Sequence, residues 1–301
     1  MPAFGSDLPV IVGVDRSDEA LQAAKYALQE ARWRNCGLLL VHASAALNRS
    51  AYFTMDDFEE MSTDAESVLE AAVGALREEH GSTVPIRTLL RQGPAGMILA
   101  DLSPGAQCMV VGRRNSGWGE RLLTGSVSSR VSARSECPVV TVPHDWNGNA
   151  ATMGPVVVAI DTKSSARDLL LYAFRTADHR RCDLVVLHAA LSGDTGQEQV
   201  AQELDVATVL AGWRSEYPDV AVTTSIVHMS ATSACEEASR NGSLLVLGRS
   251  SGLRLLPWTR SVARAVLKNA RCPVVTVPLH DAVRCREPAA GAAQSFTIGA
   301  F

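Results

Sequence analysis

The sequence predicts an α/β fold made of two tandem domains, each an open, doubly wound parallel sheet, which are related by an internal duplication. The segment "VIVGVDRSDEALQAAKYALQEARWRNCGLLLVHA", which starts at Val10, aligns without a gap with "VVVAIDTKSSARDLLLYAFRTADHRRCDLVVLHA", which starts at Val156. The heptapeptide "CPVVTVP" closes both copies, at Cys137 and at Cys272. The opening segment repeats after 146 residues and the closing one after 135, so the second copy is about 11 residues shorter. A repeat of this length indicates one domain used twice.

Each copy opens with a strand, a helix and a second strand. "VIVGVD" is a short apolar run rich in β-branched residues, which is typical of a buried strand. In the helix that follows, Ser17 is a suitable N-cap, and Asp18 and Glu19 lie in the first turn, where the helix dipole favours carboxylates. The apolar residues of this helix recur at helical spacing, as Leu21, Ala24, Leu28 and Ala31. "GLLLVHA" is the second strand.

The remainder of the copy continues the alternation of helices and strands. "DAESVLEAAVGALREEHG" predicts a second helix that ends at Gly81, and "VPIRTLLRQ" a third strand. "GMILADLSPG" is a short helix, "CMVVG" the fourth strand, "GSVSSRVSARS" the last helix and "PVVTVP" the last strand. Apolar strands that alternate with helices predict a parallel sheet with helices on both faces.

The repeat divides the chain into a first domain over residues 1–148, a second domain over residues 149–280 and a tail over residues 281–301. The segment "HDWNGNAATMG" is polar and rich in turn residues, which predicts a linker between the two copies. The tail "DAVRCREPAAGAAQSFTIGAF" shows no clear periodicity, so we expect it to be loosely ordered.

Composition restricts the class of protein. The 301 residues carry a formal net charge of −4, which gives no field that would gather nucleic acid or an anionic membrane. No apolar run approaches the length of a membrane span, and the N-terminus "MPAFGSDLPVIVGVD" lacks the pattern of a signal peptide. The seven cysteines are scattered and form no C-x-x-C pair, and no histidines and carboxylates are clustered at metal-ligand spacing. We therefore expect a cytoplasmic protein with reduced thiols and no metal site.

A glycine-rich stretch follows the fourth strand of the first copy. "VVGRRNSGWGERLLTGSVSSR" runs from Val110 to Arg130. In an open parallel sheet, ligands bind beyond the carboxyl ends of the strands, where the strand order reverses. Glycines let backbone N–H groups approach a phosphate, and a helix that begins at Ser126 would direct its free N–H groups at an anion. The alternative is that the stretch is only a turn.

The order of these motifs resembles the universal stress protein family in its tandem form, whose domains are of the adenine-nucleotide-binding type. The resemblance covers nearly the whole chain and is carried by "VGVDRS", by "LVHA", by the glycine-rich stretch and by "CPVVTVP". Nucleotide-binding members of the family carry Gly-x-x-Gly, nine residues, and then Gly-Ser or Gly-Thr. This chain reads Gly112-x-x-Asn115, nine residues, and then Gly125-Ser126. Asn is the non-glycine residue that best tolerates a left-handed backbone conformation, so the loop can survive the exchange.

The resemblance implies a binding site for ATP or another adenine nucleotide, with or without Mg²⁺. It implies that Gly13 and Asp15 contact the nucleoside and that Val41 flanks the adenine. It implies a phosphate cradle formed by the backbone at Gly112, Arg113, Asn115, Gly117, Gly125, Ser126 and Val127. No residue is assigned a catalytic role.

Several of these residues have a second interpretation. Asp15 stands at the end of a strand and could equally cap the following helix. His42 and His188 end the second strand of each copy, and we expect both to be structural. The arginines of the loop and helix would either add positive charge near the phosphates or lie solvated at the surface; they are Arg113, Arg114, Arg121 and Arg130.

The second copy departs further from the family pattern. It keeps Asp161 and Gly248, but it has one residue fewer in the loop and reads Arg260-Ser261-Val262 where the first copy has Gly125-Ser126-Val127. An arginine side chain would fill the space in which backbone must touch phosphate. We therefore expect a weakened or empty counterpart site, formed by Asp161, Gly248, Ser261 and Val262.

The chain lacks the Walker loop, the G-x-G-x-x-G turn after the first strand and the G-x-S-x-G elbow, and it offers no evident base or nucleophile. The sequence therefore favours an adenine-nucleotide-binding protein of stress response or regulation. Two alternatives stay open: a slow ATP hydrolase or nucleotidyl transferase, and an interaction scaffold that binds no nucleotide.

The last strand of each copy predicts how the copies assemble. The family resemblance implies that this strand lies at the edge of the sheet, and an exposed, β-branched edge strand favours pairing with another strand. We expect Val139–Val142 and Val274–Val277 to pair antiparallel, which would make the chain an internal pseudo-dimer. Further homodimerisation would use helical surfaces. The alternative is a pair of independent domains on a flexible linker.

Overall fold

A computed structural model of the chain describes residues 8–44, 55–80, 84–113, 126–148, 154–161, 166–190, 196–250 and 257–279. The tail over residues 281–301 and Gly81 lie outside the described residues. Strands and helices alternate through both copies, in the order that the apolar patterning predicts.

The first copy contains five strands and four α-helices within the described ranges. The strands are β1 (Val10–Gly13), β2 (Leu38–Ser44), β3 (Ile86–Gln92), β4 (Cys108–Gly112) and β5 (Val139–Val142). The helices are α1 (Asp18–Trp33), α2 (Met55–His80), α3 (Ala95–Leu102), which a 3₁₀ turn follows, and α4 (Ser126–Arg134). The second helix is thus longer than predicted, because it starts nine residues before Asp64, the first residue of the predicted segment.

The second copy repeats this order. Its strands are β6 (Val156–Ile160), β7 (Leu184–Ala189), β8 (Val222–Val227), β9 (Leu244–Ser250) and β10 (Val274–Leu279). Its helices are α5 (Arg167–Arg180), α6 (Gly196–Glu216), α7 (Ala231–Ala238) and α8 (Pro257–Asn269).

The ten strands form one sheet, in the order β3-β2-β1-β4-β5-β10-β9-β6-β7-β8. Neighbouring strands within a copy are parallel, because a helix connects each strand to the next and returns the chain to the same edge. The strand order reverses between β1 and β4 in the first copy and between β6 and β9 in the second. The predicted fold class is confirmed.

The two copies meet at β5 and β10, which form the antiparallel pair of the sheet. Val275 lies opposite Val140, Val274 opposite Thr141 and Thr276 opposite Val139. The predicted pairing of the two last strands is therefore confirmed, and the copies share backbone hydrogen bonds instead of forming independent domains.

The hydrophobic core is continuous across this junction on one face of the sheet. Val10 and Val12 of β1 pack in the same buried cluster as Val156 and Val158 of β6, together with side chains from α1, α2, α5 and α6. Because side chains alternate along a strand, Ile11 points to the opposite face. There the copies have separate cores, one under α3 and α4 and one under α7 and α8.

The start of the linker is buried against α1, although most of its residues are polar. Trp146 is 6% exposed, and its ring meets the ring of Tyr26 edge to face, with centroids 5.3 Å apart. Burial of an indole ring is strongly favourable, so the start of the linker is fixed on α1.

A buried polar group, which we call the junction cluster, joins α1 to α5 and consists of Tyr26, Glu30, Arg34, Tyr172 and Arg180. One carboxylate oxygen of Glu30 accepts from Arg34 Nε at 2.7 Å, and the other accepts from Arg180 Nη2 at 2.6 Å. Arg34 also donates to the hydroxyl of Tyr172 at 3.0 Å, and Arg180 to that of Tyr26 at 2.6 Å. The contacts to tyrosine are symmetric between the copies, whereas a single carboxylate serves both arginines.

The position of Glu30 in the first copy corresponds to Thr176 in the second. Thr176 is also buried, and its hydroxyl has no hydrogen-bond partner among the described residues. Burial by itself would raise the pKa of Glu30, but Arg180 and Arg34 outweigh it and lower that pKa to about 2. Glu30 is therefore the charged group that makes burial of two guanidinium groups tolerable.

We predict that Glu30→Thr destabilises the chain by about 3–5 kcal/mol, because it leaves two buried arginines without a carboxylate. Adding Thr176→Glu to this variant places a carboxylate at the equivalent point of the other copy. Since Arg180 lies four residues beyond Thr176, as Arg34 lies four beyond Glu30, we expect this double variant to regain most of the loss. Urea unfolding followed by circular dichroism measures both. A double variant no more stable than Glu30→Thr would contradict the symmetry of the cluster.

The same carboxylate predicts how stability depends on pH. The pKa of Glu30 is about 2 in the fold, whereas an unperturbed glutamate has a pKa of about 4.3. Because the unfolded chain binds the proton first, the contribution of Glu30 is complete above about pH 5 and is lost as the pH falls towards 2. We expect the stability difference between the natural chain and Glu30→Thr to shrink below about pH 4.5 in urea titrations. A difference unchanged at about pH 3 would argue against a charged Glu30.

Candidate functional site

The candidate site lies where β1 and β4 end, at the point where the strand order of the first copy reverses. Gly13 is in register with Val41 of β2, and Val12 is in register with Val110 of β4. The ends of β1, β2 and β4 therefore lie side by side at the carboxyl edge of the sheet. In open α/β sheets this is the position of the ligand crevice.

Both strand-end glycines lie in close packing, and at Gly112 the nearest neighbouring atoms are backbone, which leaves no room for a side chain. A Cβ atom at Gly13 would lie 2.8 Å from a methyl group of Leu99, and one at Gly112 would lie 2.5 Å from the carbonyl oxygen of Glu19. Gly112 thus lets the first turn of α1 pack directly against the end of β4. These two glycines shape the edge of the crevice.

Asp15 follows β1 and is exposed. Its Oδ1 accepts a hydrogen bond from the backbone N–H of Ser17 at 2.9 Å, and it also accepts one from the hydroxyl of Ser17. Ser17 in turn caps α1, since its hydroxyl oxygen accepts from Ala20 N at 3.3 Å. Asp15 therefore supports the N-cap residue Ser17 and is not itself the cap of α1, and the turn fixes the direction of its carboxylate.

His42 supports the same turn from β2. Its Nδ1 lies 2.8 Å from the carbonyl oxygen of Val14, and His188 makes the equivalent contact to Ile160 at 3.2 Å. A carbonyl only accepts, so Nδ1 carries the proton and donates in both cases. The prediction that both histidines are structural is confirmed, and His42 holds the peptide that precedes Asp15.

Val41 does not present its side chain to a ligand in this structure. It is 2% exposed and packs with Ile11 and Leu99 in the core below α3. Its carbonyl oxygen accepts from Val14 N at 2.9 Å. The side chain of Val41 thus fills the core, and the expectation that Val41 flanks an adenine stays a prediction.

Arg16, which the sequence did not single out, connects this turn to α2. Its guanidinium forms an ion pair with Asp64 and a hydrogen bond of 3.3 Å with Ser67. The hydrogen bond from Arg16 lowers the pKa of Asp64. Both side chains are about 60% exposed, so the pair orients the turn and adds little stability.

The last helix of the first copy begins at Ser126, as predicted. Because α4 returns the chain from β4 to β5, its N-terminus lies at the carboxyl edge of the sheet, where its free N–H groups can bind an anion. Gly96 lets α3 pack closely against α4, since a Cβ at this position would lie 3.3 Å from the Cα of Val127. Asn115, Gly117 and Gly125 lie outside the described residues, as do Arg114 and Arg121.

The side chain of Arg113 leaves the crevice. Its Nη1 donates to the carbonyl oxygens of Leu267 at 3.0 Å and Ala270 at 2.9 Å, at the C-terminus of α8. Arg249, its counterpart after Gly248, makes the reciprocal contact to the end of α4 through Ala133 and Ser135. Neither sequence interpretation of the Arg113 side chain, added charge near phosphates or a solvated surface position, describes this contact, because helix carbonyls of the other copy bind the guanidinium. Its backbone remains at the end of β4, and Arg130 is exposed.

The second copy differs at the corresponding helix. Whereas α4 begins at Ser126, α8 begins at Pro257, four residues before the equivalent Ser261. Proline is favoured in the first turn because its missing N–H would have no helical partner. Arg260, Ser261 and Val262 thus lie inside the helix, where their N–H groups are no longer at its free end. Alignment of the two copies by sequence does not show this shift in the helix start, although a proline such as Pro257 is typical of the first turn of a helix.

The remaining counterparts of the second copy keep the strand-end arrangement. Asp161 is exposed after β6, and a Cβ at Gly248 would lie 2.9 Å from a methyl group of Leu279. No group of three His, Cys, Asp or Glu side chains in the described ranges could hold a metal ion. None of the described helices is both long and apolar enough to span a membrane.

Comparison with known proteins identifies the family. The model of the universal stress protein family matches residues 8–143 and again residues 153–278. A universal stress protein of Mycobacterium tuberculosis is 32% identical over 305 residues, which cover 91% of this chain and 98% of the relative. One from Mycolicibacterium smegmatis is 30% identical over 298 residues and covers 92% and 99%.

A solved structure shows the same fold over both copies. The crystal structure of a universal stress protein from Archaeoglobus fulgidus matches with a TM-score of 0.70 at 19% identity, over 92% of this chain and 98% of that one. Two matches to the family model, which together span most of the sequence, and relatives of the same tandem length agree with the duplicated sheet. The chain therefore belongs to the universal stress protein family, in its tandem form.

Proposed function

We propose that this chain binds an adenine nucleotide, ATP or a close relative, in its first copy and acts as a nucleotide-dependent regulator in a stress response. The observation that carries the proposal is the crevice between the ends of β1 and β4, with the N-terminus of α4 at the same edge. It occurs in a chain that keeps the Gly125-Ser126 pair of the family's nucleotide-binding members. The proposed binding domain is residues 1–148, and residues 149–280 form its partner.

The chemistry of the crevice suits a phosphate chain attached to a nucleoside. The helix N-terminus and the loop backbone supply N–H donors, which bind anions without a fixed counter-charge. The exposed carboxylate of Asp15 is suited to accept hydrogen bonds from ribose hydroxyls. The described residues offer no set of metal ligands, so we propose that any Mg²⁺ enters with the nucleotide phosphates.

The two copies differ in where their last helix begins, which determines where its free N–H groups can bind phosphate. In the second copy, α8 starts four residues earlier and Arg260 stands in the place of Gly125. The free N–H groups therefore lie one turn away from the position they occupy in the first copy. We propose a single effective nucleotide site per chain, and a homodimer would present two.

Gly125→Val should abolish most nucleotide binding, because a β-branched side chain would occupy the space of a phosphate. Isothermal titration calorimetry with ATP, with and without Mg²⁺, measures the loss. Gly212→Val is the matched control, since a Cβ at Gly212 meets no atom within 4 Å. Unchanged affinity in Gly125→Val would argue against the site, and two equal sites per chain would argue against the asymmetry.

We expect turnover of ATP to be absent or much slower than about one per second, because the sequence offers no base or nucleophile for the reaction. Phosphate release from purified protein tests the hydrolase alternative. Faster turnover that disappears in Asp15→Ala would make the chain an enzyme. Mass spectrometry of nucleotide that co-purifies with the natural chain tests the scaffold alternative, which predicts none.

A further inference from the structure

Arg249 of the second copy reaches the helix on which the proposed phosphate site of the first copy depends. Its Nη1 donates to the carbonyl oxygen of Ala133 at 3.2 Å, and its Nη2 donates to that of Ser135. Ala133 lies in the last turn of α4, and Ser135 directly follows the helix. The contact crosses the β5–β10 junction, because Arg249 belongs to β9.

The position of this guanidinium matches what a helix C-terminus requires. The last carbonyl groups of an α-helix have no partner within the helix, and its dipole places partial negative charge there. A cation that donates to two of these carbonyls satisfies both requirements at once. Because α4 spans only nine residues, or about 13 Å at 1.5 Å per residue, its two ends form one rigid element.

We propose that Arg249 is a positioning residue of the nucleotide site in the first copy. It fixes the C-terminus of α4, so that the N–H groups at the other end are held where a phosphate binds. The proposal rests on the proposed function, since it requires phosphate at the N-terminus of α4. It gives the second copy a role in binding although its own loop has lost the family pattern.

The reciprocal contact makes the proposal specific. Arg113 donates to the end of α8 in the same way, but α8 begins one turn early at Pro257. The two contacts are thus equivalent as links across the junction. Of the two, the contact from Arg249 ends on α4, the helix that begins at Ser126 of the Gly125-Ser126 pair. Loss of either link should weaken the junction similarly, and loss of Arg249 should in addition weaken binding of phosphate.

The test compares Arg249→Gln with Arg271→Gln in the full-length chain, with ATP as the probe in calorimetry. We expect Arg249→Gln to bind ATP roughly three- to tenfold more weakly, the size expected for a helix-terminal charge. Arg271→Gln, which removes another arginine contact across the junction, to Asp145 at 3.3 Å, should retain nearly natural affinity, because Asp145 follows β5 and does not belong to α4. Arg249→Lys keeps the cation but not the paired donors, so its affinity should fall between those of the natural chain and Arg249→Gln.

A second probe separates positioning from general destabilisation. Adenosine lacks phosphates, so Arg249→Gln should leave its affinity unchanged while the affinity for ATP falls. Equal loss for both ligands, or an equal loss of ATP affinity in Arg271→Gln, would overturn the inference in favour of a purely structural link. If Arg249→Gln does not fold, Arg249→Lys carries the same comparison.

The outcomes also separate this inference from the proposed function. If the natural chain binds ATP and both variants bind it equally well, the positioning role is wrong and the nucleotide site stands. If the natural chain binds no adenine nucleotide, the proposed function is wrong and the positioning role falls with it.

Discussion

The carboxylate of Glu30 is the interaction on which the joined arrangement of the two copies depends. It forms ion pairs with one arginine from each copy inside a buried interface, and each arginine also binds a tyrosine of the opposite copy. With the copies fixed in this way, β5 and β10 complete one sheet and the core below α1 and α5 becomes continuous. The links from Arg113 and Arg249 require the same fixed placement, because each spans the junction through one side chain.

Much of this architecture can be inferred from the sequence, because local hydrophobic periodicity determines the strands and helices and the repeat determines the two copies. Runs such as Val10–Gly13 are apolar and β-branched, and the helix α1 that follows carries a cap at Ser17 and a 3.6-residue period. The pairing of Val140 with Val275 was expected because the family resemblance implies that this β-branched strand, which occurs twice, lies at the edge of the sheet. The start of α4 at Ser126 follows from glycine and small polar residues before a helical segment.

The contacts that join the copies could not be inferred in this way. Arg113 and Leu267 are 154 residues apart in the chain, and no local pattern relates an arginine to the carbonyl groups of a distant helix. The residues around Trp146 are polar in sequence, so its burial could not be predicted from them. The side-chain direction of Val41 depends on the register of β2 with β1. The aligned sequences of the two copies do show the residues of the junction cluster. Tyr26 and Arg34 recur as Tyr172 and Arg180, whereas Glu30 is replaced by Thr176.

That single difference makes the two copies chemically unlike at the surface where they would otherwise be interchangeable. Two second copies placed face to face would bury two arginines and two threonines with no acid between them. Two first copies would bury two arginines with two acids, so the arrangement of two arginines around one acid arises only between a first and a second copy. A duplicated domain can in principle associate with an identical domain in solution, and the missing acid makes that association unfavourable for two second copies. The second copy thus depends on the first copy of its own chain for a counter-charge, as one subunit of a heterodimer depends on the other.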